Sequence, residues 1–282
     1  SGRVASFYSA GVDGSYTLCC KEQEITHLIL MDVFDGQGLE DEWQRMTRHQ
    51  KEFVERMGKE LITIRTNTRQ YADDKKISWD FMHGLIISSI GDFFKFDKVF
   101  VPSSYTYREL FPWGSHPLTD PMWSTESMRV IHDGAGVRRW EKVKYLTQYQ
   151  DMLDNLHVCW RTKIGNCGEC PKCIRTMVAL HLLDARSKAL PEYRDLKQLK
   201  KLKSMDDHAA AFLLDAIVAA ENSNKKAISR RLKWYFKQYQ LLGLIEKADD
   251  CLLGGVLRKI YRTIKKPDWL ELRVALVAKE RA

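Results

Sequence analysis

The 282-residue sequence predicts an α/β protein: a doubly wound, mostly parallel sheet with a four-cysteine zinc knuckle and an α-helical C-terminal extension. Three observations carry that reading. Over the first two-thirds of the chain short apolar runs alternate with amphipathic stretches, the pattern of parallel strands covered by helices on both faces. Four cysteines fall within residues 159–173. The charge is also divided: residues 184–282 hold 22 Lys and Arg against 13 Asp and Glu, whereas residues 1–183 hold 23 against 24. Two regions follow, an α/β unit over 1–183 that includes the knuckle and a basic helical region over 184–282.

Taken in order, residues 4–8 form an apolar run that reads as the first strand and enters the glycine-bearing stretch 9–15. A short helix is expected over 16–21, a second strand over 27–33 and a long loop over 32–41. Trp43, Met46, Phe53, Val54 and Met57 recur close to helical spacing, so 42–59 reads as an amphipathic helix. A strand over 61–64, a helix over 79–94 and a strand over 98–102 come next. The segment 102–126 is rich in Pro, Trp, Tyr and Ser. Loops of that length inside a compact unit are usually functional, and the aromatic content argues for order. The last strand is expected over 128–131 and a helix over 137–146. After Leu183 the pattern reads as helical throughout, with helices over 209–220, 227–242 and 252–264 and a connecting turn at 221–226.

Hydrophobic content of 44% with 29% charged residues is ordinary for a soluble globular protein. No apolar stretch reaches the roughly 18 residues of a spanning helix, so no membrane partner is expected. The opening SGRVASFYSAG lacks signal-peptide architecture, which makes the cytoplasm the expected compartment.

The stretch SAGVDGS (Ser9, Ala10, Gly11, Val12, Asp13, Gly14 and Ser15) reads as a strand-to-helix turn. Small residues let backbone N–H groups approach an anion, and the following helix directs its positive end to the same point. Asp13 would repel a bare phosphate, so a carboxylate here suits Mg²⁺ bridging to a nucleotide. Neither the Walker pattern nor the dinucleotide fingerprint is present. The cysteines are spaced C-x7-C-x2-C-x2-C: Cys159, Cys167, Cys170 and Cys173. Four thiolates close a tetrahedral zinc site with no open position, the pattern of a structural metal, and Gly165 and Gly168 supply the sharp turns. An iron–sulfur cluster is the alternative occupant.

The loop resembles the SGGxDS signature of the PP-loop ATP pyrophosphatases. Ser9, Gly11, Asp13 and Ser15 match it; Ala10 stands where the family has its first glycine and Gly14 where it has a serine. Ala10 adds a methyl group where a positive φ is expected, and Gly14 removes a hydroxyl donor that Ser15 could replace. Together with the cysteine knuckle, the loop resembles the 7-cyano-7-deazaguanine synthase branch of that superfamily, over about residues 3–183. The resemblance implies ATP and Mg²⁺ as cofactors, structural Zn²⁺, and adenylation of a carboxylate or amide with release of pyrophosphate. Ammonia or an amine would then displace AMP. Asp13 would position Mg²⁺, the remainder of 9–15 would hold the phosphates, and adenine would lie near Met31 at the end of the second strand.

The second substrate, a small molecule, should meet the 102–126 loop. Ser103, Ser104, Tyr105, Asp120, Trp123 and Ser124 offer binding groups there, Arg108 a cation and His116 an acid–base group. His83, in an apolar helix, reads as structural. The deazaguanine substrate itself is not carried over, because GSHPLTDPMWSTE differs from the substrate loop of those synthases and the basic third has no counterpart in them. LKQLKKLK and KKAISRRLKWYFKQYQ join cations to aromatics as nucleic-acid surfaces do, so a tRNA-modifying enzyme is a second reading. A protein partner, a homodimer, or a nucleotide-binding module without turnover are further alternatives.

Overall fold

The computed structural model describes residues 2–32, 40–162, 164–203, 207–253 and 256. Five strands form its centre: β1 (Val4–Phe7), β2 (His27–Asp32), β3 (Glu60–Arg65), β4 (Lys98–Pro102) and β5 (Arg129–Asp133). All neighbours are parallel and the order is β3-β2-β1-β4-β5. The chain therefore builds outward from β1 to β3, then crosses back to set β4 on the other side of β1. Around the sheet lie α1 (Val12–Cys20), α2 (Glu40–Arg56), α3 (Thr68–Asp74), α4 (Trp79–Phe93), α5 (Arg139–Leu146), α6 (Gln150–Asp154), α7 (Pro171–Leu182), α8 (Asp207–Asn222) and α9 (Lys226–Leu253).

Strand side chains alternate between two cores, as the pleat requires. Val4, Leu28 and Phe100 join one core with Leu18 of α1, Phe53 of α2, Leu146 of α5 and Met177 of α7. Ala5, Phe7, Ile29, Val99, Val101 and Val130 join the other, covered by Ile87 and Ile90 of α4. Each fully buried leucine in these layers contributes about 2 kcal/mol of transfer free energy. Helix α4 approaches its neighbours closely through glycine: a Cβ on Gly84 would lie 1.7 Å from the carbonyl oxygen of Gly114. The β4–β5 crossover on this side is the expected long loop, with a single 3₁₀ turn at Asp120–Trp123.

The boundaries differ from expectation in informative places. Helix α1 begins at Val12 rather than at residue 16, with Gly11 as an extended N-cap and Asp13 in the first turn, where a carboxylate favours the helix dipole. The short helices α3 and α6 were not anticipated, and neither was α7, whose start coincides with the cysteine run. Residues 184–203 correct the expectation of continuous helix after Leu183. They form a loop with one 3₁₀ turn, Gln198–Leu202, and helix resumes at Asp207. Helix α9 runs through 242 to Leu253 without a break. Most of the expected 252–264 helix and of the 32–41 loop lies outside the described residues. Leu213 and Ile217 of α8, with Leu232 and Tyr235 of α9, pack into the same core as α7, so that core runs across position 183.

Candidate functional site

In an open parallel sheet, ligands bind beyond the carboxyl ends of the strands where strand order reverses. Here that point lies between β1 and β4, and the loops leaving those strands are 8–11 and 103–128. Ser9 is exposed at the crevice. Ala10 is buried and adopts a φ of +56°, the left-handed conformation that the glycine of the signature would take freely. The methyl group costs about 1 kcal/mol in strain. The turn nevertheless keeps its shape because the Ala10 carbonyl accepts a hydrogen bond from the His157 N–H at 2.8 Å. Ser15 departs from its expected role as a phosphate donor. It is fully buried beside Tyr8, and its N–H closes the first helical turn onto the Gly11 carbonyl at 3.0 Å. The N–H groups of Val12, Asp13 and Gly14 precede that first intrahelical bond and are the ones left to meet an anion.

Asp13 lies between two cations of α5. Its carboxylate accepts from Arg139 Nη1 and, at 3.2 Å, from Lys142 Nζ, which also donates to the Ser103 carbonyl at 2.6 Å. Burial alone would raise the Asp13 pKa, but Arg139 and then Lys142 outweigh it and bring it down to about 2. Lys172 and Arg175, in the first turns of α7, add two more positive charges within electrostatic reach of Asp13. Arg175 stacks on Phe212 of α8 at 3.5 Å, and burial followed by the like charge of Arg139 disfavours its charged form. The nearby carboxylate of Asp215 accepts the Trp140 N–H at 3.0 Å. Arg139 Nε, Arg175 Nε, Trp140 Nε1 and Asp215 Oδ1 are buried without hydrogen-bond partners among the described residues, and all four residues line a cavity of about 10 Å³, room for one water. Arg139, Lys142, Lys172 and Arg175 thus gather around Asp13 and Asp215, and Arg138 also acts on Asp215.

The residues of the 102–126 loop fall into two groups. Buried Ser103 donates its hydroxyl to the Tyr105 carbonyl at 2.6 Å, and Tyr105 packs on Phe212 with ring centroids 5.1 Å apart, so both border the cationic cluster. Ser104 and Arg108 are exposed. Asp120 is fully buried on the α4 side. It accepts from Ser115 Oγ at 2.7 Å and the His116 N–H at 3.0 Å, and pairs with His132 Nδ1 at 2.7 Å. His116 Nδ1 accepts the Leu118 N–H at 3.1 Å, so the neutral ring carries its proton on Nε2, which can donate it. Ser124 Oγ accepts the Val130 N–H at 3.0 Å, a bond that anchors the start of β5, while Trp123 is exposed. His83, half-buried against Trp113, is packed as expected of a structural residue. Met31 packs toward the α4 face of the sheet.

Arg139, Lys142, Lys172, Arg175, His132 and Asp215 were not singled out from sequence. The available signal was Arg139 and Lys142 at i, i+3 in one helix and Lys172 and Arg175 flanking Cys173.

The knuckle sulfurs of Cys159, Cys167, Cys170 and Cys173 all lie within 4.8 Å of one another, a set that could hold a metal ion. Tetrahedral zinc at about 2.3 Å from each sulfur requires S–S edges of about 3.8 Å; Cys167–Cys173 and Cys170–Cys173 measure 3.9 and 3.4 Å. Gly165 and Gly168 take the positive φ expected of them, +66° and +69°. Backbone N–H groups of Arg161, Cys170 and Cys173 point at Cys159, Cys167 and Cys170 sulfurs at 3.3–3.4 Å. Burial opposes a Cys159 thiolate, yet N–H donors led by Cys167 and Arg161 bring its pKa down to about 6. Asn166 holds the loop: Oδ1 accepts from Val158 and Cys159 N–H, and Nδ2 donates to the Leu156 and Ala189 carbonyls, all at 2.8–3.1 Å.

No protein-family model, curated protein or solved structure matches the chain. Among the described residues no helix is long and apolar enough to cross a membrane.

Proposed function

We propose that the chain is a PP-loop ATP pyrophosphatase that activates a small-molecule carboxylate or amide and transfers it to ammonia or an amine. The observation that supports this most is the surplus of cations (Arg139, Lys142, Lys172 and Arg175) at the amino end of α1, beside the point where strand order reverses. A triphosphate is the kind of ligand that such a surplus fits.

In this reading an acceptor oxygen attacks the α-phosphorus. The bond to the α–β bridging oxygen breaks and its electron pair leaves with pyrophosphate. Nitrogen then adds to the activated carbon, the C–O bond to AMP breaks, and the amine proton passes to water, while His116, with its proton on Nε2, is the candidate acid for the departing AMP oxygen. Val12, Asp13 and Gly14 N–H groups hold phosphate oxygens. Arg139 and Lys142 turn from Asp13 to the polyphosphate, which frees a carboxylate whose charge a cation must then stabilise in their place. Asp13 would then hold Mg²⁺, which supplies charge neutralisation. Arg108, Ser104 and Tyr105 would meet the acceptor. The four thiolates suit a structural Zn²⁺, kept reduced in a compartment such as the cytoplasm.

Product analysis tests the reading. Protein with ATP, Mg²⁺, ammonium and a small-molecule cell extract should yield AMP and pyrophosphate, with turnover lower by about 100-fold in Asp13→Asn. ADP and phosphate as products would overturn it.

A further inference from the structure

Helix α9 presents two kinds of surface in one row. At about 100° per residue, Lys226, Arg230, Lys233, Trp234 and Lys237 share an arc with Leu241, Leu244, Ile245 and Leu252. The opposite side is filled by Ile228, Leu232 and Tyr235, which are buried in the core. The outward arc is in solvent: Trp234 is 50% exposed, Leu241 58%, Leu244 64%, Ile245 48% and Leu252 81%. From Lys225 to Ile245 the sequence contains no acidic residue. Lys233 pairs with Glu221 of α8, so the outward face is cationic along its first half through Lys226, Arg230 and Lys237 and apolar along its second, with Trp234 among the cations.

We infer that this face docks on an anionic lipid surface. Headgroup phosphates meet the cations, the acyl boundary receives the leucine and isoleucine row, and a tryptophan among headgroups occupies the depth that its amphipathic ring prefers. A nucleic acid would neutralise Lys226 to Lys237 but leave the apolar row in water. A protein partner would need a groove that is acidic at one end and apolar at the other. A lipid plane meets both demands of a convex helix at once. Docking of this kind lies along the surface and needs no spanning segment, and it is independent of the chemistry proposed above.

The test is co-sedimentation of the full chain with phosphatidylcholine vesicles, with and without phosphatidylglycerol, at low and high salt. Binding should require phosphatidylglycerol and weaken as salt rises. Arg230→Glu with Lys237→Glu should lower it by about tenfold or more. Leu241→Ser with Leu244→Ser should lower it comparably, with circular dichroism and metal content unchanged in both. Failure to pellet with anionic vesicles would overturn the inference. So would capture by a tRNA pool that such vesicles do not compete away, or a dimer in sedimentation velocity that the leucine variants dissociate.

Discussion

Asp13 and Asp215 border the same cluster of cations, yet their protonation moves in opposite directions. For Asp13 the attraction of Arg139 and Lys142 exceeds the penalty of burial, and its pKa falls to about 2. For Asp215 burial dominates, the Trp140 N–H and Arg139 compensate only in part, and the pKa rises to about 6. The consequences for stability have opposite signs. A depressed carboxylate stabilises the fold above its unfolded pKa near 4, and that contribution is lost as pH falls toward 2. A raised carboxylate favours the fold while protonated, and stability is lost as pH rises from about 4 through about 6. Asp215→Asn should therefore stabilise the protein at pH 7, by on the order of 2 kcal/mol, with the gain vanishing near pH 4. Urea unfolding at the two pH values checks this; a less stable variant at pH 7 would mean that Arg139 and Arg175 need the charge.

Among the elements, the knuckle depends on a residue that is not a ligand. Asn166 uses both ends of its amide to fix the backbone at Leu156, Val158, Cys159 and Ala189. Asn166→Ala should weaken zinc affinity by about 10- to 100-fold, read by competition with a chromophoric chelator, whereas Asn166→Asp should retain part of it. Spacing made the four thiols legible, because ligands on a short loop are constrained by sequence distance. It could not reveal Asn166, whose partners span Leu156 to Ala189, nor the pairing of Asp13 with residues 139 and 142. The strands were legible from their apolar runs. Helix α1 was cut short in the reading because Gly11, Asp13 and Gly14 look like a turn; Gly14 instead lies within α1, buried against the end of β1.

At the scale of the whole molecule, the cysteine site and the crevice are not independent. Cys170 caps α7 and accepts the Cys173 N–H, while Lys172 and Arg175 extend from the same first turns. On the other side of the knuckle, His157 donates to the Ala10 carbonyl and holds the turn that precedes α1. Removing the metal should weaken binding of ATP or pyrophosphate by about tenfold. By reciprocity, either ligand should slow release of zinc to a chelator by a comparable factor. Equal release with and without ligand would mean that the two sites are uncoupled. The shared helix also gives oxidants a route to the crevice that passes through sulfur alone. Peroxide that converts the Cys170 and Cys173 thiols to a disulfide takes away the cap of α7 along with its metal ligands. The cations are then left on a helix end that has lost its cap, so oxidation at sulfur would disturb the crevice without altering one of the charged residues that border it.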